Sequence, residues 1–233
     1  MCAYSNTSSD TTMHANSQLI IACLIIMVLL YVFYWPPLTR IKVANREWAV
    51  VESYPNATDA ANMLHRLHAR MLTFLRYIEE KHHIDETQEE IATHSEEHKR
   101  ITSFQDRQMI IGTLLNNYNP DKFYENDPRY SSDTSYTINK GDAMYICLRQ
   151  KADPTKFENE NVIFFVMLHE CAHIANYNGW GHDERFWTVF KFLLQEAVEA
   201  GVYSPVDYEK YPEQYCSIEV FYQPLYDKTL AQI

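Results

Sequence analysis

Seven consecutive apolar residues, Val162 to Leu168, run directly into His169-Glu170-Cys171-Ala172-His173. At helical period, residues 159 to about 177 make one helix that is apolar on every side over Val162–Leu168. A helix of that kind has to lie in the centre of a core, so any fold for this chain is built around it. Two imidazoles and a carboxylate in such a helix are costly without a task, because buried polar groups lose their hydration.

The spacing suggests the task. Residues four apart share one helix face, with Cβ atoms about 6 Å apart, so His169 and His173 point the same way. Two imidazole nitrogens there can both reach one zinc ion at about 2.0–2.1 Å. Glu170 is turned about 100° around the axis. It is badly placed as a third ligand but well placed to take the proton of a metal-activated water. Catalytic zinc keeps three protein ligands and one open position. His182 is the preferred third ligand. It follows Gly179-Trp180-Gly181, a turn able to fold the chain back, and it opens the next helix. Asp183 and Glu184 are as near in sequence and chemically capable. The ten histidines also supply a decoy, His94-Ser95-Glu96-Glu97-His98, in the inverted H-x-x-E-H order. Its neighbours, Asp85, Glu86, Glu89, Glu90, Lys99 and Arg100, belong to a solvated surface and offer no dry wall for a catalytic metal.

Around the central helix the coarse reading is α+β. Leu64, Leu67, Met71, Leu75 and Ile78 mark a helix from residue 58 to about 83, with Thr58 or Asp59 as its cap. Charged residues 84–106 lead to a second helix around Met109–Leu115. Residues 116–133, rich in Asn, Asp, Pro and Tyr, read as loop. Ser135–Ile138 and Ala143–Leu148 flank Lys140-Gly141-Asp142 as a β-hairpin. A last long helix spans residues 183 to about 200, ended by Gly201. The Tyr/Pro-rich tail from Val202 is expected to wrap a domain of residues 58–233.

Net charge and cysteines exclude some classes. The chain carries a formal charge of −11, all of it contributed by residues 41–233, since Asp10 and Arg40 cancel. An acidic domain without a dense basic cluster is no nucleic-acid binder. Only 5 glycines and no phosphate-loop motif argue against nucleotide chemistry. The five cysteines form no regular framework and read mostly as free thiols of a reducing compartment. A Cys147–Cys216 bridge stays open.

Leu19 to Trp35 is an uninterrupted apolar run of 17 residues. At about 1.5 Å per residue it covers roughly 25 Å, the short end of a bilayer span. Tyr31, Tyr34 and Trp35 gather at its end as interface aromatics do, and Pro36-Pro37 stop it. Residues 18–35 are therefore expected to be a transmembrane helix. Residues 1–17 before it read as disordered, and residues 36–57 after it as linker. No Lys or Arg precedes the span, whereas Arg40, Lys42 and Arg46 follow it. That bias puts the large domain in the cytosol. Asn6-Thr7-Ser8 and Asn56-Ala57-Thr58 match the glycosylation pattern on opposite sides of the span, so at least one match is accidental.

The string VMLHECAHIANYNGWGHDERFW resembles the WLM/SprT-like zinc metallopeptidases of compact gluzincin-like type, and TINKGDAMYICLR resembles the hairpin that precedes their active helix. Membrane-anchored versions with a Tyr/Pro-rich tail are similar to proteins of large DNA viruses. The resemblance implies a zincin-like fold, with a small antiparallel sheet or hairpin on the HExxH helix. It implies zinc as cofactor, held by His169, His173 and His182, and Glu170 as general base. It implies a protein or peptide substrate pairing with an edge strand at Ala143, Met144, Tyr145, Ile146 and Cys147. No residue matches a recognised oxyanion stabiliser; Tyr177 and Tyr203 are the candidates. The resemblance implies the membrane of a host cell or a virion. The contrasting expectation is a non-catalytic, membrane-tethered structural or interaction protein that keeps the fold.

Overall fold

A computed structural model describes residues 18–29, 38–82, 95–127, 134–177, 179 and 181–233, with side chains of the third stretch from residue 105. The chain divides into two units, residues 1–37 and Leu38–Ile233. In the first unit, residues 18–29 form helix α1, whose side chains are exposed. Among the described residues no helix is long and apolar enough to cross a membrane. Residues 30–35 of the expected span, and residues 1–17, lie outside the described residues.

The second unit begins earlier than expected. Leu38–Val43 (β1) and Arg46–Val51 (β2) pair antiparallel, so the segment read as linker is part of the domain. Arg46-Glu47-Trp48-Ala49-Val50-Val51 is rich in strand formers, and its Trp48, Val50 and Val51 are buried. Helix α2, Ala57–Lys81, follows and buries Ala60, Leu64, Leu67, Met71, Phe74 and Ile78. Its start differs from the expected cap. Asn56 takes a left-handed conformation with no side-chain cap, and its carbonyl accepts from Ala60 N at 3.1 Å. Helix α3, Ser95–Asn117, is longer than its apolar core of Ile110, Ile111 and Leu114 suggests. The decoy motif falls at its start. His94 lies outside the described residues, as do the side chains of residues 95–98.

Phe123–Asn126 (β3), Tyr136–Ile138 (β4) and Ala143–Cys147 (β5) complete a five-stranded sheet in the order β1-β2-β3-β5-β4. The β4–β5 hairpin is antiparallel, as read. β3 was read as loop, yet it runs parallel to both β2 and β5. The sheet is therefore mixed and larger than the small antiparallel sheet expected. It also places β5 inside, hydrogen-bonded on both sides, and leaves β4 as the outer strand. The near-continuous apolar character of Ala143–Cys147 is that of a strand covered on both faces.

Helices α4, Glu160–Ala175, and α5, Glu184–Glu199, pack on each other, and α4 also meets β4, β5 and α3. The tail does wrap the domain. Tyr208 and Tyr215 are fully buried in the core, and Glu213–Tyr215 (β6) and Ile218–Val220 (β7) form a hairpin. Cys216 and Ser217 at its turn both have positive φ, 51° and 76°, as a two-residue type I′ turn requires.

The hairpin is fastened to the main sheet. Cys147 and Cys216 form a disulfide, the bridge that the sequence leaves open. Among the described residues Cys23 and Cys171 are free. The Tyr215 hydroxyl donates to the Cys147 carbonyl at 2.9 Å, and the Glu158 carboxylate accepts from Cys216 N at 2.8 Å.

Behind β3, Glu125 and Arg149 form an ion pair of 2.7 Å, each 1 % exposed. The second Glu125 oxygen accepts from Val51 N at 2.7 Å. Arg149 also donates to the carbonyls of Pro154 (3.0 Å) and Asn56 (3.4 Å). The rings of Phe157 and Tyr54 cover it, at 4.8 and 5.2 Å. Burial pushes the Glu125 carboxyl up, against the pull of Arg149 and the Val51 amide.

Candidate metal centre and its cleft

The centre is assembled from the end of α4 and the turn that follows it. The Asn159 side chain caps α4 by accepting from Asn161 N at 2.9 Å, which satisfies one of the helix's orphan donors. Helical pitch then brings the His169 and His173 rings together, with centroids 4.9 Å apart.

The turn from α4 to α5 is held from two sides. Lys140, in the β4–β5 turn, donates to the carbonyls of Asn176 (2.7 Å) and Gly179 (2.9 Å). Gly179 packs where a Cβ would collide with the Asn176 side chain and the Asp183 carboxylate. Gly181 has φ 74°, which a residue with a side chain seldom adopts. Asp183 caps α5 by accepting from Phe186 N at 2.7 Å. His182, just before that cap, is turned back over α4.

The result is convergence. His182 Nε2 lies 2.9 Å from His169 Nε2 and 3.1 Å from His173 Nε2. Asp183 and Glu184, the competing third ligands, do not join the group, in which all ligand atoms lie within 4.8 Å of one another. Asp183 is occupied as a cap, and Glu184 lines a different cleft. Phe186 stands behind all three rings, at 4.3 Å from His173, 4.7 Å from His182 and 4.8 Å from His169. Phe186 and Trp187 lie in the first turn of α5, where a helical pattern alone marks them as core residues.

His182 Nε2 is within hydrogen-bond distance of both other rings, but three such nitrogens cannot all pair with one another, because each neutral ring offers either one proton or one lone pair there. Burial holds the rings neutral. The His169 pKa falls to about 3, through burial and then its two histidine neighbours. That of His173 falls to about 4, through burial, His182 and Lys140. His182 is lowered by burial alone. A tetrahedral zinc ion would hold such nitrogens about 3.3 Å apart, close to what is seen. The donor set fits a divalent ion of imidazole preference.

Glu170 is buried beside the triad, and the Thr137 hydroxyl of β4 donates to its Oε2 at 3.4 Å. Triad and carboxylate open into a cleft of about 610 Å³. One wall is residues Thr134–Thr137, leading into and along the outer strand β4. The other is Ile218–Tyr222, from the disulfide-fastened hairpin. Phe165, Trp187 and Phe190 close one end.

Two sets of expected residues are not in this cleft. Ala143, Met144, Ile146 and Cys147 are buried, and β5 already spends its backbone on β3 and β4. Neither these nor Tyr145 can receive an extended chain there, and the open edge belongs to Tyr136, Thr137 and Ile138. Tyr177 lies in a separate cleft of about 920 Å³, where its hydroxyl donates to Asp106 (3.0 Å), itself paired with Arg185 (2.6 Å). Tyr203 is 3 % exposed, and its hydroxyl accepts from Gln223 Nε2 at 2.9 Å. Neither tyrosine faces the triad cleft as an oxyanion donor.

Residues 116–210 match the WLM domain family. An uncharacterized protein of Acanthamoeba polyphaga mimivirus is 27% identical over 180 residues, covering 76% of this chain and 79% of that protein. Uncharacterized proteins of Invertebrate iridescent virus 3 and Invertebrate iridescent virus 6 are each 32% identical, over 111 and 83 residues. These cover 47% and 35% of this chain, and 65% and 44% of the relatives. A crystal structure of Wss1 from Saccharomyces cerevisiae aligns over 65% of this chain and 87% of its own, with 17% identity and a TM-score of 0.39.

Proposed function

We propose that the WLM-like domain of this chain is a zinc-dependent peptidase, with His169, His173 and His182 as ligands and Glu170 as general base. The observation that carries this reading is the convergence of three ring nitrogens beside a buried carboxylate in an open cleft.

When bound there, a zinc ion supplies a Lewis acid that polarises a carbonyl and makes water more acidic near neutral pH. The residues of the chain do the rest. The three neutral rings offer lone pairs without first losing protons. Glu170 takes a proton from water at its carboxylate and delivers it to the leaving amine nitrogen. Thr137 holds Glu170 in place from the strand side. The apolar walls limit competing water, which strengthens each polar contact inside. Beta-strand addition along β4 suits an extended peptide.

Residues 18–35 serve in this proposal as a membrane anchor, supported by their uncharged, apolar sequence. Two features bear on its orientation, and they oppose each other. Arg40 and Lys42 favour a cytosolic domain, while the Cys147–Cys216 disulfide favours a thiol-oxidising surrounding. Protease protection in sealed membranes from a host cell or a virion decides between them. Cleavage of the domain from the cytosolic side without detergent supports the first.

The test of function uses the full-length chain purified in detergent. Expected are one zinc per chain and cleavage of an unfolded protein substrate that a chelator abolishes and zinc restores. Zinc bound at one per chain, with no chelator-sensitive cleavage of any unfolded protein, would leave the non-catalytic tethered protein as the better reading.

A further inference from the structure

Building on the peptidase reading, we infer that the aromatic end of the cleft is a side-chain subsite, which selects peptides with a bulky apolar residue beside the scissile bond. Phe165 and Val166 precede His169 by four and three residues, so they lie on its face of α4, about one turn (5.4 Å) away. That is a distance one side chain on an extended peptide can bridge.

The floor there is aromatic. The Phe165 and Phe190 rings are 5.0 Å apart, and Phe190 is 5.3 Å from the His169 ring. Half-buried Val166 and Trp187 form the sides, and Tyr222 stands against Trp187 with ring centroids 5.0 Å apart. Apart from the histidines, the only ionisable acids or bases among the described residues lining the cleft are Glu170, Glu219 and the Tyr136 and Tyr222 hydroxyls. Glu219 is exposed on β7, and the Tyr222 hydroxyl is turned to Asp227 at 2.6 Å. Among the described residues, the end next to Phe165 therefore offers no acid or base beyond the histidines to pair with a charged side chain, which would be left desolvated there.

The outer strand supplies the register. A chain paired with β4 sends successive side chains to opposite faces, so one residue next to the bond held at the triad is turned into the aromatic end while its neighbour points away. The cleft, at about 610 Å³, has room for a leucine- or phenylalanine-sized group together with backbone. An acidic side chain meets Glu170 and Glu219 as well as an apolar wall.

Matched decapeptides with Leu, Phe, Ala, Asp or Lys at one position, scanned across the cleaved bond, test the inference. Two readouts are taken: cleavage by the zinc-loaded full-length chain, and binding of the same peptides by its Glu170→Gln variant. Leu and Phe should exceed Asp and Lys by at least about tenfold at one position flanking the bond, in line with single apolar groups in enzyme pockets. Val166→Trp should fill the end and move the preference to Ala. Equal handling of Leu, Asp and Lys, or a preference for a charge, overturns the subsite, as does failure of every peptide to bind. Selective binding of Leu and Phe peptides without any cleavage upholds the subsite and rejects the peptidase reading instead.

Discussion

Two regions of this domain bury ionisable side chains, and they do so in opposite ways. Behind β3, Glu125 and Arg149 are closed off: nearly every donor and acceptor meets a partner within the protein, and aromatic rings cover the guanidinium. On α4, His169, His173 and His182 converge on one another, and Glu170 faces the same cleft. A closed network fixes the packing of strands and loops. Three ring nitrogens aimed at one point of an open cleft are placed to hold something else. Burial and altered pKa values occur in both places, so they do not separate scaffold from site. What separates them is whether the polar atoms are closed in by the protein or gathered on an open cleft.

The sharpest way to test the contrast is Glu170→Gln. Activity should fall by about 10²–10⁴-fold, while zinc content and melting temperature stay near those of the parent. A loss below tenfold in kcat would remove Glu170 from its role. Arg149→Met should do the reverse, costing about 3–5 kcal/mol in urea unfolding by leaving Glu125 buried and alone. Adding Glu125→Leu should recover most of that loss; a double variant as unstable as the single one would show the pair is not a closed unit.

Replacing Cys147 and Cys216 by serine opens a loop of 69 residues and should lower stability by about 4 kcal/mol on chain-entropy grounds. Equal unfolding midpoints of the variant and the oxidised parent would argue against the bond. Lys140→Met loosens the turn that carries His182. Zinc affinity, read by competition with a chelating dye, should fall about tenfold, with little change in thermal unfolding. If affinity holds, the strut is not what positions the third ring.

The smallest effect concerns His68, on α2 against the rings of Trp48 and Phe123. Its pKa is lowered to about 4 by burial, then by Arg46 and His65, and its Nε2 lies 2.9 Å from Arg46 Nη1. The unfolded chain binds a proton there that the folded chain refuses between about pH 6.5 and pH 4. Stability from this group is therefore present above pH 6.5 and declines as pH falls toward 4. His68→Gln should flatten that limb of the urea midpoint against pH, and an unchanged slope would show that His68 is protonated in the fold.

The parts of the molecule that were legible in the sequence share a cause. α4, α5 and the β4–β5 hairpin carry their own boundaries, in Asn159, Asp183, Gly201 and Lys140-Gly141, and long apolar periodicity. The triad was legible because helical pitch fixes His169 against His173 and two glycines fold His182 back. β3 was not, since its four residues lie between Asn119-Pro120-Asp121 and Asp127-Pro128, and its pairing with β2 and β5 is long-range. β1 and β2 were hidden behind Pro36-Pro37. The substrate strand was placed one position too far in, because a hairpin alone does not say which of its strands has a further neighbour. The cleft's far wall, Ile218–Tyr222, reaches the site only through tertiary contacts that no local pattern announces.

The bond between Cys147 and Cys216 has a bearing on the fate of the protein as its own target. A single cut anywhere from residue 148 to residue 215, for example at exposed Tyr211, breaks the chain but leaves its two pieces covalently joined. Such nicked molecules run as one band on a gel until a reductant is added, so damage of this kind would pass unnoticed in an oxidised sample.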